Sequence, residues 1–203
     1  MFEQEKLMEK QCIFILCAVI ELFFLISPGP ELIAAANEPA TKLEAFLSKA
    51  ETLIVIESVD LGRVEGTYGA YVEMKAIVSY EPISANKKIS GFQVTVYEGG
   101  RNEQRKTVFV DLDEIENVSN AAEYMISLSD KWKAVRRLNT EVAFTTRDTF
   151  RIGFSQSGYS WQGFSSGGYG VGAVCRFNSL EDLKAVKLLI NSGLEWVKSN
   201  EGR

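Results

Sequence analysis

Four acidic residues lie close together in the middle of this 203-residue chain, and carboxylates are oxygen ligands suited to a hard cation such as calcium. They are Asp111, Asp113, Glu114 and Glu116. The group lacks both the ligand spacing and the central glycine of a helix–loop–helix calcium loop. Asp113 with Glu116 three residues later instead resembles a helix-capping pair, and acidic side chains stabilise the first turn of a helix. We therefore expect a helix start here and no metal site.

Several reactive side chains are missing or few. The chain has no histidine, which excludes Ser-His-Asp and Cys-His catalysis and histidine-ligated metals. Cys12 and Cys17 lie in an N-terminal apolar segment, so Cys175 is the one cysteine of the remaining chain and cannot form an intrachain disulfide. Cys175 lies in an alternating apolar run, which favours a buried structural residue over a nucleophile. We expect no cofactor.

The most unusual composition is at residues 153–172, which are rich in glycine and serine and carry several aromatic residues. Aromatic side chains on such a frame suit stacking on sugars or on a partner protein. The candidate ligand surface consists of Tyr159, Trp161, Phe164 and Tyr169. Alternation would place Tyr159 and Trp161 on one face of a strand, and that face is either a solvent-exposed platform or part of the core.

A second polar group, Arg147, Asp148 and Arg151, lies around a predicted hairpin. It could form a small polar site, but a solvated turn explains the same residues.

The first 36 residues predict export. Residues 12–26 are apolar except for Glu21, a Ser-Pro-Gly-Pro turn follows, and Ala34 with Ala36 gives a signal-peptidase pattern. The apolar run is shorter than the ~20 residues that a membrane-spanning helix needs. Met8 is a possible true start, because it leaves a more positive N-terminal region. We expect a signal peptide over residues 1–36, cleavage near Ala36, and a periplasmic or secreted product; only an uncleaved leader would hold the chain to a membrane.

The remaining 167 residues suffice for one domain with a real core. They carry 22 acidic and 20 basic residues, so no strong field of one sign is expected. A nucleic-acid partner is therefore disfavoured, since such proteins usually show a basic stripe.

The apolar periodicity predicts a linker with a short helix over residues 37–50 and one α+β domain over residues 51–203. Four strands, of which the first covers residues 52–58 and the second alternates over residues 71–80, are followed by a helix from about residue 113. Four more strands are followed by a helix that Ser179 and Asp182 begin. The domain is thus a ββββα-ββββα pseudo-repeat of antiparallel sheets, in which each sheet has one apolar face and each half supplies a helix to cover it.

This element order resembles the whirly and PUR-repeat proteins, which bind single-stranded nucleic acid. The likeness covers most of residues 51–198 and rests on topology, since none of those families' motifs is present. The stretches at residues 109–125 and 144–150 also resemble small exported bacterial proteins of unassigned function. That second resemblance implies export and no particular activity.

Three functions follow as hypotheses. The first is an exported, non-enzymatic module that binds a partner protein or a glycan. The second is a carboxylate-dependent hydrolase, which needs two carboxylates about 5–9.5 Å apart in a cleft. The third is a nucleic-acid-binding domain, which needs a basic, aromatic sheet face.

Overall fold

The computed structural model describes residues 39–84, 88–101, 103–168 and 172–201. These lie in a compact unit that runs from Glu38 to Arg203. The predicted leader, its cleavage point and Tyr169 lie outside the described residues. The helices are α1 (Lys42–Leu47), α2 (Leu112–Trp132) and α3 (Leu180–Glu201), and the strands are β1 (Val55–Glu65), β2 (Tyr71–Tyr80), β3 (Lys88–Glu98), β4 (Gln104–Asp111), β5 (Arg137–Thr145), β6 (Phe150–Gly158), β7 (Ser160–Gly167) and β8 (Ala173–Phe177).

The strands form two antiparallel sheets, one from β1 to β4 and the other from β5 to β8, each with its strands in sequence order. A long helix follows each sheet. The predicted α+β class and the ββββα pseudo-repeat are therefore confirmed, as is the short N-terminal helix.

Alternation of apolar and polar side chains gives each sheet an inner face toward the core and an outer face away from it. In the first sheet Val72, Met74, Ala76 and Val78 of β2 lie on the inner face and are buried. In the second sheet the alternate residues Phe150, Ile152 and Phe154 of β6 belong to the same core. A single apolar core thus joins both sheets and both long helices.

The helix that covers the first sheet comes from the second half of the chain. α3 packs mainly on β1 and β2. Gly193 of α3 permits this, because a side chain there would meet Phe92 at 2.5 Å and Leu61 at 2.6 Å. α2 contacts strands of both sheets. The two halves therefore share their helices, whereas the sequence had suggested one helix for each sheet.

The two long helices begin differently. At α3 the predicted capping box is present: Asp182 N donates to Ser179 Oγ at 3.3 Å, and Ser179 N donates to Asp182 Oδ2 at 2.9 Å. At α2 the expectation that Asp113 caps the helix is wrong. The helix begins one residue earlier, at Leu112, and its N-cap residue is Asp111, which makes no side-chain bond to its own helix.

Candidate functional site on the outer face of the second sheet

The glycine- and serine-rich segment divides its side chains between the two faces of the second sheet. The register pairs Phe164 with Gly153 and Ser166 with Arg151, while Phe154 and Ile152 alternate with these and point into the core. Gly153, Ser155 and Ser166 therefore lie on the outer face, where their small size leaves room. The small residues thus leave a concave outer face, and the aromatic and aliphatic residues that alternate with them form the core.

A depression of about 210 Å³ occupies that outer face. It draws residues from all four strands of the sheet: Glu141 from β5, Arg151 and Ser155 from β6, Gln162, Phe164 and Ser166 from β7, and Val174 and Arg176 from β8. Most of these side chains are polar, and we refer to the whole as the outer-face depression.

The floor of the outer-face depression is the ring of Phe164. A side chain at Gly153 would meet the ring's Cζ at 2.9 Å, so the ring lies directly on the backbone of β6. The guanidinium carbon of Arg151 lies 5.6 Å from the ring centroid, within the range of a cation–π contact. Phe164 is 9 % exposed, so it offers an apolar base rather than a free stacking platform.

The charged groups around the floor are paired. Arg151 Nη2 lies 2.6 Å from Glu141 Oε1, and Arg176 Nη1 lies 3.9 Å from Glu98 Oε1. Glu98 also accepts a hydrogen bond from Val174 N at 3.1 Å, which joins the first sheet to the edge strand β8. The depression therefore offers many donors and acceptors with little net charge.

Of the four aromatic residues expected to form a surface, the three that the structure describes are separated. Trp161 lies on the inner face, stacked on Phe154 with ring centroids 6.0 Å apart and half-buried against the core. Tyr159 lies in the turn between β6 and β7, where it is 65 % exposed. Of these three, Phe164 is the one that lines the outer-face depression. Tyr159 is not part of strand β7, which begins at Ser160.

The acidic group serves the architecture. Both carboxylate oxygens of buried Asp111 accept hydrogen bonds at 2.9 Å, Oδ1 from Leu43 N and Oδ2 from Lys42 N, so this side chain caps α1. Asp113 pairs with Lys42 and Arg147, and these contacts lower the pKa of its carboxyl. Among the described residues, no group of three or more acidic or cysteine side chains is placed so that it could hold a metal ion.

Arg147 and Asp148 dock their hairpin onto the first half of the chain. Arg147 N donates to Glu114 Oε1 at 2.8 Å, and Phe109 N donates to Asp148 Oδ2 at 2.7 Å. Burial of Asp148 raises the pKa of its carboxyl. The turn is thus an inter-sheet tie rather than a solvated loop, and Arg151 points elsewhere, into the outer-face depression.

Cys175 is fully buried on the inner face of β8. Burial raises the pKa of its thiol to about 12, which keeps the thiol protonated. This fits the expected structural role.

Sequence reasoning found Phe164 and named Arg151, but it missed Glu141, Gln162 and Arg176 as neighbours in the outer-face depression. The alternation of residues along β5, β7 and β8 could have identified all three, since each lies on the outer face of its strand. It also missed a stacked pair on the outer face of the first sheet, Tyr71 and Tyr97, whose ring centroids are 5.0 Å apart.

Neither long helix among the described residues has an apolar stretch that could cross a bilayer.

Comparison with known proteins finds no matching family model, no matching curated protein and no matching solved structure. The likenesses to whirly and PUR-repeat proteins, and to small exported proteins, stay predictions from the sequence.

Proposed function

We propose that this chain is an exported binding module that holds a glycan in the outer-face depression. The observation that carries the proposal is the combination of an apolar floor, Phe164, with a rim of paired charges and amides on a concave sheet face. Sites for small ligands typically combine an apolar base with a few placed polar groups.

A sugar ring matches this arrangement in its chemistry. Its hydroxyls both donate and accept hydrogen bonds, and its C–H face is apolar. Glu141 and Gln162 supply acceptors, and Arg151 and Arg176 supply donors. Because Arg151 is paired with Glu141, the rim favours a neutral polar ligand over a strongly charged one.

Nucleic acid is a weaker candidate for the same face. A nucleic-acid site needs unpaired positive charge along its surface. Here Arg151 and Arg176 each lie beside a carboxylate, and on the first sheet Lys75 lies 3.1 Å from Asp60. The paired charges therefore support a neutral ligand over a phosphate backbone.

A hydrolase is also less well supported. The carboxylates of the central acidic group are held by backbone N–H groups and by Lys42 and Arg147. Glu141 and Glu98 are each paired with an arginine at the depression. Glycoside hydrolysis requires two carboxyl groups that face each other across a cleft, whereas each of these carboxylates is held by an ion pair or by backbone N–H groups.

A glycan microarray probed with the purified protein tests the proposal. Ser155→Trp places a large side chain in the outer-face depression, and we expect it to abolish binding. Gln93→Trp is the matched control, because Gln93 lines a similar-sized depression on the outer face of the first sheet. Binding lost with Gln93→Trp and kept with Ser155→Trp would contradict the proposal. If no glycan binds and the same face instead binds a protein, the ligand of the outer-face depression is a partner protein and not a glycan.

Export is part of the proposal. A cut near Ala36 would leave the compact unit Glu38–Arg203 whole. Mass spectrometry of the secreted or periplasmic product should show a chain that begins near Asn37. A product of full mass retained in the cytoplasm would contradict this part.

A further inference from the structure

The two sheets have β1 and β4, and β5 and β8, as their edge strands. The outward N–H groups of an edge strand can pair with a strand of another molecule, so proteins usually block them. Two of these edges are blocked by carboxylates of the chain itself. Phe109 N of β4 donates to Asp148 Oδ2 at 2.7 Å, and Val174 N of β8 donates to Glu98 Oε2 at 3.1 Å.

The third edge strand, β1, is irregular and charged. Its pairing with β2 shifts register between Asp60 and Gly62, and an irregularity of this kind bends a strand. Four of its side chains are charged, namely Glu57, Asp60, Arg63 and Glu65. Bulges and charged side chains both protect an edge from pairing with another strand.

The fourth edge strand, β5, lacks these protective features. Residues 140–145 pair with β6 without a register shift, contain neither proline nor glycine, and have Glu141 as their one charged residue. Threonine, valine and phenylalanine favour extended structure. Exposed segments of this length with a strong strand preference and little charge pair readily with one another.

The outward backbone groups of β5 are identified by the turn that follows it. Thr146 N donates to Phe150 O at 2.9 Å, so the N–H of Thr146 faces β6. Because the direction of the backbone groups alternates along a strand, those of Glu141, Ala143 and Thr145 face away from the sheet. No described residue accepts a hydrogen bond from these three N–H groups.

Apolar side chains lie beside the same edge. Val142 and Phe144 are only partly buried against the core, and Leu138 is 83 % exposed. A strand added to β5 would cover apolar surface as well as satisfy backbone groups.

From these observations we propose that β5 pairs antiparallel with β5 of a second copy of this chain, about a two-fold axis at Ala143. Glu141 then lies opposite Thr145 of the second copy. Each outward residue meets another outward residue and shares two hydrogen bonds with it. On the inner face, Val142 lies opposite Phe144 of the second copy. The result is one continuous sheet with four strands from each copy.

The charges of the two copies match in this register. Glu141 Oε1 lies 2.6 Å from Arg151 Nη2 of its own chain. Thr145 pairs with Arg151 across β5 and β6, so Glu141 also has Arg151 of the second copy in its own row of the sheet. A register that set Glu141 against itself would place like charges opposite each other, which is unfavourable. An unrelated strand offers no such match, so we assign a second copy as the partner.

Sedimentation velocity of the purified protein tests the assignment, from about 1 μM to about 1 mM because small interfaces are usually weak. We expect a reversible monomer–dimer equilibrium. In a dimer of isotope-labelled and unlabelled chains, Hα of Val142 should show a nuclear Overhauser contact to Hα of Phe144 of the other copy, since residues in such a pair have Cα atoms about 4.5 Å apart. A monomer over the whole range, or a dimer without this contact, overturns the proposal.

Charge substitutions at the two-fold axis test the same pairing. Ala143 is exposed, so Ala143→Lys and Ala143→Glu should both fold, and each places like charges opposite each other. Each should weaken dimerisation by about tenfold or more. An equimolar mixture of the two variants should dimerise again, which a misfolded variant would not do. Ser58→Lys, at an exposed position of β1, is the control and should leave dimerisation unchanged. Unaltered dimerisation of the Ala143 variants, no recovery on mixing, or loss of the dimer in Ser58→Lys overturns the proposal.

Discussion

The ring of Phe164 lies on the bare backbone of Gly153, its neighbour across strands β6 and β7 on the outer face of the second sheet. This contact sets the floor of the outer-face depression. It also explains why a glycine is needed in the middle of a strand, where glycine is otherwise unfavourable.

Gly153→Ala should destabilise the protein and displace the floor. The new methyl group would meet Val142 O at 2.3 Å and Phe164 Cζ at 2.9 Å, and neither the strand nor the packed ring can move freely. We expect a loss of about 1–3 kcal/mol in the free energy of unfolding, measured by urea denaturation. Ser155→Ala, two residues along the same strand, is the control and should change stability by less than about 0.5 kcal/mol. Equal stability of Gly153→Ala and the wild type would mean that the contact is not close.

Asp111→Asn should loosen α1. The carboxylate accepts from two backbone N–H groups, and an amide has one acceptor oxygen, so one of these N–H groups loses its partner. The ion pair between Asp111 Oδ2 and Arg147 Nη2, 3.5 Å apart, is lost as well. We expect a loss of about 1–3 kcal/mol and faster hydrogen exchange at Lys42 and Leu43. Asp113→Asn removes only exposed ion pairs and should cost less than about 1 kcal/mol. Similar effects of the two substitutions would argue against a specific cap.

The buried carboxyl of Asp148 should make the stability of the folded protein depend on pH. Burial raises the pKa of its carboxyl in the folded protein, so the charged form destabilises the fold at neutral pH and protonation relieves this cost. Asp148→Asn keeps an acceptor for Phe109 N without the charge. We expect the Asp148→Asn variant to have a higher urea midpoint than the wild type at pH 7, with the difference shrinking as the pH falls through the raised pKa. A difference that grows toward acid pH would reverse this assignment.

Cys175 should be inert in the folded protein. Its thiol is fully buried, and its pKa is raised to about 12, so almost no thiolate is present at pH 8. We expect Cys175 to react with a thiol reagent such as dithionitrobenzoate only after the protein is unfolded in guanidinium. Rapid labelling of Cys175 in the native protein, read by peptide mass mapping, would contradict its structural role.

Local patterns were enough to predict much of the fold. The strict alternation in β2 predicted its bounds, residues 71–80, as observed, and the Ser179–Asp182 pair located the start of α3. Both signals depend on residues a few positions apart. β1 was predicted to end near residue 58 but continues to Glu65, because pairing with β2 holds a segment that is polar in sequence.

The candidate site was less accessible to sequence reasoning, because its contacts join distant residues. Asp111 and Leu43 are 68 positions apart, and no local pattern shows that this carboxylate caps another helix. Tyr159 and Trp161 have the spacing of one strand face, but a tight turn at Gly158, with φ of +64°, removes Tyr159 from the strand. Contacts between distant residues and the exact end of a strand depend on strand register and turn geometry, which local sequence patterns do not show.

The most direct test of the central claim is a titration of the isotope-labelled protein with the glycan that binds best on the array, followed by amide chemical shifts. We expect saturable shifts that concentrate at Glu141, Arg151, Gln162 and Arg176 and that disappear in Ser155→Trp. Shifts confined to the outer face of the first sheet, or no saturable shift with any glycan, would contradict the claim that the outer-face depression is a glycan site.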